Sequence, residues 1–237
     1  MTLGVFFTAL GYAVGAAVYW LEARRRKLAT EGMSRVLIWG LIGGVLGAKL
    51  TEWILDGWNP AGANGIAILN PEAGGRTILG GVVAGWLCVE IAKRRLGIRR
   101  STGDLFALAL PAGEAVGRIG CFFNQCCYGI ESNVRWAVYQ HGAWRHPTQL
   151  YSSAVAFAIL ALLLKARGKL PKEGDLFRLY LVLWGTGRFL LEFLRFRHIS
   201  FGGLSLAQWV CLEIVVLAGL ALAVSVYRSR PRVGEVG

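Results

Sequence analysis

One cation, two amides and three thiols fall close together in Gly117-Arg118-Ile119-Gly120-Cys121-Phe122-Phe123-Asn124-Gln125-Cys126-Cys127-Tyr128-Gly129. An arginine beside a hydrophobic run is costly in lipid unless it is paired or used. Its guanidinium presents a planar fork that fits phosphate oxygens. A second constellation, Arg188, Glu192 and Arg195, has the i, i+4 and i+7 spacing that places all three on one helix face. Arg188 sits among Trp184, Phe189, Leu190 and Leu191, inside an apolar run, and Glu192 is placed to hold Arg188 or Arg195. A charged cap with arginines snorkelling to headgroups would have the same spacing. His146 opens His146-Pro147-Thr148-Gln149-Leu150-Tyr151 and is either an interfacial hydrogen-bonder or a group that accepts or orients a proton. These residues describe a site for a phosphorylated, lipid-borne ligand.

Gly113, Gly117 and Gly120 bracket Arg118. They allow either close approach of the backbone to a ligand or close packing of helices. Cys121, Cys126 and Cys127 could form a disulfide, hold a metal, react as thiols or pack. Packing or one disulfide is expected. There is no second cysteine pair with structural zinc spacing, so neither a metal, even with His141 or His146 added, nor any cofactor is expected. Cys88 and Cys211 lie in apolar runs and are read as small packing residues.

The elements that position these residues follow from composition. The chain has 237 residues, 55% of them hydrophobic and 17% charged, with 32 glycines and 9 tryptophans. That is a membrane protein's balance, with glycine for helix contact and tryptophan for interfaces. The net charge of +12 lies in short clusters between apolar runs, and no recognised nucleic-acid motif accompanies it, so no nucleic-acid partner is expected.

Hydropathy marks Leu3–Leu21, Val36–Leu55, Thr77–Ala92, Leu105–Val116, Leu150–Leu164, Leu176–Leu191 and Leu204–Val226. The prediction is an all-α, polytopic helical bundle of about seven transmembrane segments. Leu105–Val116, interrupted by Pro111 and Gly113, is expected to be short or re-entrant. The first segment has its basic run, Arg24-Arg25-Arg26-Lys27, behind it rather than before it, so it reads as a retained helix and not a signal peptide. With the N-terminus outside and the C-terminus cytoplasmic, that run and the clusters at 93–100, 165–172 and 228–232 all fall inside, as the positive-inside tendency requires. Arg118, His146, Arg188, Glu192 and Arg195 then lie near the outer leaflet. Trp53 and Trp58 suit the outer interface, and residues 56–75 form a Gly-, Asn- and Pro-containing loop. Residues 1–227 are read as one transmembrane domain and 228–237 as a disordered cytoplasmic tail.

At these residues the sequence resembles the prolipoprotein diacylglyceryl transferase family of bacterial inner-membrane enzymes. The resemblance is carried by Gly47-Ala48-Lys49-Leu50, Gly80-Gly81-Val82-Val83-Ala84-Gly85, Gly117-Arg118-Ile119-Gly120 and His146-Pro147-Thr148-Gln149-Leu150-Tyr151. It continues through Gly187-Arg188-Phe189-Leu190-Leu191-Glu192-Phe193-Leu194-Arg195 and Gly203-Leu204-Ser205-Leu206-Ala207-Gln208. It implies seven spans with the N-terminus outside, and transfer of the diacylglyceryl group of phosphatidylglycerol to the lipobox cysteine of a prolipoprotein signal peptide. It further implies that Arg118, with Gly117, Gly120 and Asn124, meets the phospholipid. Arg188 would meet the reacting phosphate, Glu192 and Arg195 would orient it, and His146 or the arginine field would activate the thiol. A transferase with another acceptor, or a non-catalytic phospholipid-binding protein of the same fold, would share these features. The chain departs from the family at Thr8 and Trp184, where tyrosine is usual, at Leu79 (His or Tyr), at Cys121 (Asn) and at Cys126 (Glu). Gly-Cys-Phe and Cys-Cys-Tyr-Gly resemble a divergent branch.

Overall fold

A computed structural model describes residues 2–28, 30–55, 78–196 and 202–229, with backbone alone at 51–55 and 78–79. Seven helices form among them: α1 (Leu3–Arg25), α2 (Glu31–Leu55), α3 (Ile78–Arg95), α4 (Gly103–Phe123), α5 (Thr148–Ala166), α6 (Asp175–Glu192) and α7 (Leu206–Arg228). Five of them, α1, α2 up to Leu50, α4, α5 and α7, are long and apolar enough to cross a membrane. Large apolar side chains point away from the protein, with Leu217 and Leu220 on α7 each 61% exposed. That surface would drive aggregation in water and is solvated in lipid. The chain is a helical membrane protein. The side chains of Trp53 and Leu79, the whole 56–75 loop with Trp58, Arg197 and the tail beyond Ser229 lie outside the described residues.

Two compact units form, Ala23–Arg100, and Met1–Glu22 together with Ser101–Gly237. In the first, α2 and α3 meet along small residues. A Cβ on Gly47 would stand 2.5 Å from the Gly80 carbonyl oxygen, and one on Gly43 would stand 2.6 Å from Cys88 Sγ. These glycines permit backbone contact, and Cys88 packs as a small apolar residue.

The second unit holds every residue of the candidate site. Here α4 corrects the expectation of a short or re-entrant segment, because it runs unbroken through Pro111 for 21 residues. At 1.5 Å per residue that is about 32 Å. Proline removes one backbone donor, and a membrane helix tolerates the loss where neighbours support it. Here α1 supplies the support: Cβ atoms on Gly11 and Gly113 would each meet the other's carbonyl oxygen at 2.8 Å. Arg118 is therefore a residue of the helix itself.

A small hairpin adds to the all-α expectation. β1 (Val138–Gln140) pairs antiparallel with β2 (Ala143–Arg145). Both turn residues, His141 (φ 50°) and Gly142 (φ 78°), are left-handed, as in the two-residue turns that match strand twist.

At one end of this unit the starts of α4 and α6 meet the finishes of α1, α5 and α7 in a closed polar network. Asp175 is fully buried and accepts from Ser225 Oγ at 2.8 Å, from the Lys172 amide at 3.2 Å and from Arg178. Asp104 accepts from the Phe177 amide at 3.2 Å, and Arg167 pairs with the buried Glu22 at 3.1 Å. The site occupies the opposite end.

Candidate functional site

Arg118 is 6% exposed, on the last two turns of α4. Its Nε and Nη2 donate to Glu114 Oε1 at 3.1 and 3.0 Å, one turn earlier. The second oxygen of Glu114 accepts from Trp184 Nε1 of α6 at 2.9 Å. Glu114 thus fixes the arginine and ties α4 to α6. Sequence reasoning left it out of the site, although a carboxylate four residues before an arginine in an apolar run is itself a signal. The departure at Trp184 also gains a reason, since its indole N–H is the donor at this point.

Arg188 pairs with Glu192 one turn on, and Arg195 Nε lies 3.8 Å from the same Glu192 oxygen, Oε2. The other oxygen accepts from Ser205 Oγ at 3.0 Å. Ser205 and Gln208 form a reciprocal capping box at the start of α7, and Gln208 Nε2 donates to the Phe189 carbonyl at 3.3 Å. The segment from Gly203 to Gln208 is therefore the brace that sets Glu192. A cleft lined by Glu114, Ser152, Trp184, Arg188 and Leu191 lies beside these groups. Glu114 and Trp184 thus share it with Arg188.

Arg195 follows the end of α6, and the connection from α4 to α5 holds it. Gly129 bridges to Arg195, and Ile130 N–H donates to the Leu194 carbonyl at 3.0 Å. A Cβ at Gly129 would stand 2.5 Å from the His146 carbonyl oxygen and 2.7 Å from that of Leu194, so glycine is required. Arg145 clamps the connection. It donates to the Gly129 carbonyl at 3.4 Å and to Glu131 at 3.1 Å, and stacks over Tyr128 with its Cζ 5.0 Å from the ring centre. Burial and the charge of Arg188 hold the Arg195 guanidinium below its ordinary range.

The three thiols come together through the way α4 stops. Gln125 N–H reaches the Phe122 carbonyl at 3.1 Å and Cys126 N–H reaches that of Cys121 at 3.1 Å, with Gln125 left-handed at φ 51°. This is a Schellman ending, which apposes the residues at Cys121 and Cys126. A second left-handed residue, Cys127 at φ 59°, turns its own thiol into the group. Thr148 Oγ1 and Gln149 Nε2 hold the Cys127 and Cys126 carbonyls, each at 2.8 Å. The three sulfurs lie within 4.8 Å of one another, all half-buried, and all are free thiols. Of the two expectations, packing or one disulfide, the disulfide is not formed. Hydrogen bonds from the Cys121 and Cys126 thiols, with the charges of Arg195 and Arg118, hold the Cys127 thiol well below the usual range. Hydrogen bonds within the same group push Cys126 up.

The remaining predicted residues are placed differently. His146 turns its ring Nδ1 to Tyr151 Oη at 3.2 Å, and Tyr151 accepts from Trp136 at 2.6 Å. Among the described residues the ring makes no hydrogen bond to Arg118, Arg188, Glu192 or Arg195. Asn124 is the exposed C-cap of α4 and lies against Gly4. Gly120 packs on α1, where a Cβ would meet the Gly4 carbonyl at 2.7 Å, whereas a Cβ at Gly117 would face open space.

Fold and site define a helical membrane protein with three arginines, each held by a carboxylate, at one end of its helices. The family model for prolipoprotein diacylglyceryl transferase matches residues 4–225, and the chain belongs to that family. It is 32% identical over 226 residues to the phosphatidylglycerol–prolipoprotein diacylglyceryl transferase of Finegoldia magna, covering 94% of this chain and 88% of that protein. Against the enzyme of the same name from Gloeobacter violaceus the identity is 34% over 229 residues, covering 90% and 84%. For Clostridioides difficile it is 30% over 213 residues, covering 90% and 85%.

Proposed function

We infer that this protein is a transferase that moves the diacylglyceryl group of phosphatidylglycerol onto the lipobox cysteine of prolipoproteins. The observation that carries the reading is the gathering of Arg118, Arg188 and Arg195 at one end of a membrane bundle, in a chain of this family. The acceptor thiolate attacks the glycerol carbon that bears the phosphate. A carbon–sulfur bond forms, the carbon–oxygen bond breaks, and glycerol phosphate leaves with the electron pair. Negative charge grows on the departing phosphate, and preorganised guanidinium donors stabilise it most there.

Arg188 is assigned to the reacting phosphate and Arg118 to the phospholipid headgroup, with Gly117, Gly120 and Asn124 beside it. Glu114 and Glu192 hold these arginines, and Arg195 orients the Arg188–Glu192 pair. Activation of the thiol falls to the cationic field or to His146. The chain crosses the bacterial plasma membrane in about seven spans, N-terminus outside and C-terminus in the cytoplasm. This topology puts the arginine end toward the outer leaflet, where signal peptide and bilayer lipid arrive.

The test is direct. Purified protein receives phosphatidylglycerol carrying a labelled acyl chain and a lipobox peptide, and a thioether-linked adduct is the expected product. Lipid binding without any adduct would assign the protein to non-catalytic phospholipid binding, and label on an amine or alcohol would change the acceptor.

A further inference from the structure

Among the described residues, Cys121, Cys126 and Cys127 are the group whose side chains converge as metal ligands do. Tetrahedral zinc–sulfur bonds of about 2.3 Å set sulfurs about 3.8 Å apart, so a set within 4.8 Å has to close by about 1 Å or less. Two side-chain hydrogen bonds from α5 already fix the backbone on which Cys126 and Cys127 sit. Three protein ligands with an open fourth position are the pattern of a catalytic zinc, whereas structural sites are closed by four. Three thiolates and one divalent ion carry a net negative charge. Arg118, three residues before Cys121 on α4, brings a positive charge close to it.

We propose that Cys121, Cys126 and Cys127 bind one zinc ion whose open fourth position takes the acceptor cysteine as a thiolate, beside the arginines that hold the phospholipid. The proposal rests on the transferase reading and supplies that reaction's nucleophile. A thiol entering the coordination sphere of zinc loses its proton outright. The proton passes to solvent, and the metal-bound thiolate keeps the lone pair that forms the carbon–sulfur bond. Zinc changes neither oxidation state nor protein ligands, and the leaving phosphate takes the electrons of the broken carbon–oxygen bond. The product thioether is a far weaker ligand than a thiolate and vacates the position.

The experiment combines metal analysis, cobalt(II) spectroscopy and transfer assays on the full chain in detergent. Zinc should bind at one ion per chain. It should be lost in the Cys126→Ser/Cys127→Ser double variant and retained in Cys88→Ala, which alters a packing residue of the other unit. With cobalt(II) in the site, a lipobox peptide should convert a three-thiolate spectrum into a four-thiolate one, and the same peptide with serine for cysteine should not. Removing zinc with a chelator should lower transfer about a hundredfold, the scale for loss of a nucleophile-activating group, and adding it back should restore the rate. Transfer at full rate by metal-free protein overturns the proposal and leaves the transferase reading intact. So does a disulfide among the three cysteines in active enzyme, or loss of transfer in His146→Gln while wild type carries no metal. Zinc binding with peptide-thiol exchange but no adduct keeps the metal site and removes the transferase reading instead.

Discussion

The two ends of the larger unit are built from the same kinds of side chain and are used differently. At the Asp175 end, Asp175 and Asp104 sit at helix starts, where backbone N–H groups and Ser225 complete them, Glu22 lies near the finish of α1, and the arginines that pair with Asp175 and Glu22 reach in from more exposed positions. Asp175 is fully buried while the Arg178 side chain is 37% exposed. That end is a lock between helices. At the other end the arginines are buried as well, with side-chain exposures of 7%, 15% and 14% for Arg118, Arg188 and Arg195, and two carboxylates serve all three. Buried cations in excess of their anions are costly in a membrane, and a bound phosphate relieves the cost. Stability resides where the charges are matched, and anion binding where they are not.

Replacing arginines at the unmatched end should have the largest effect on the reaction. Arg188→Ala and Arg118→Ala are each expected to lower transfer per folded molecule by about a hundredfold or more, as for loss of a preorganised charge stabiliser. Labelled-lipid assays on detergent-purified protein measure it, with Arg118→Lys and Arg188→Lys as variants that keep charge but lose the fork. Near-normal rates in both alanine variants would remove these residues from the mechanism and dissolve the contrast between the ends.

At the matched end the effect should fall on folding instead. Asp175→Asn weakens an ion pair and leaves buried donors poorly served, an expected loss of about 2–3 kcal/mol. The thermal transition should drop by several degrees, while the transfer rate of the surviving folded protein stays at the wild-type value. A rate loss comparable with that of Arg188→Ala would show that both ends serve catalysis.

Much of this contrast is legible in the sequence, because charge inside an apolar run is conspicuous. The i, i+4 spacing of Arg188 and Glu192 foretells their pairing, and apolar runs locate all seven helices. The reading failed where a local rule met tertiary support. Pro111 and Gly113 are helix breakers by rule, yet glycine-to-glycine contact with α1 carries α4 through to Phe123. The thiols were legible as residues but not as a group. Their convergence depends on left-handed conformations at Gln125 and Cys127, residue types that seldom adopt them. The hairpin turn at His141-Gly142 lacks the Asn-Gly or Asp-Gly pair that most clearly marks such turns. His146 is a chemically apt residue whose ring the fold pairs with Tyr151, a contact that its spacing from the arginines does not reveal.

Glu114→Gln comes next in size. A neutral amide keeps the shape but loses the charge that anchors Arg118, and glutamine can still accept through one oxygen. Misplacing a binding group by a fraction of an ångström costs about tenfold in rate, or about 1.4 kcal/mol. Because Glu114 positions and Arg118 binds, the double variant Glu114→Gln/Arg118→Ala should be no slower than Arg118→Ala alone. Fully multiplicative losses would mean that Glu114 acts on the substrate by itself.

The smallest effect is expected at Trp184, and it tests whether a departure from the family is a substitution in kind. The indole N–H donates to Glu114 at 2.9 Å, as the hydroxyl of the tyrosine expected at this position from the resemblance would have to do. A neutral donor to a carboxylate contributes about 1 kcal/mol, so Trp184→Phe should slow transfer by about fivefold, and Trp184→Tyr should recover most of that loss. Removing the donor also matters only while its acceptor is charged. In a Glu114→Gln background Trp184→Phe should therefore cost less than it does alone, and a double-mutant cycle reads the difference as a coupling of about 0.5–1 kcal/mol. Equal costs in the two backgrounds would mean that Trp184 acts through its bulk beside the Arg188 cleft and not through its hydrogen bond.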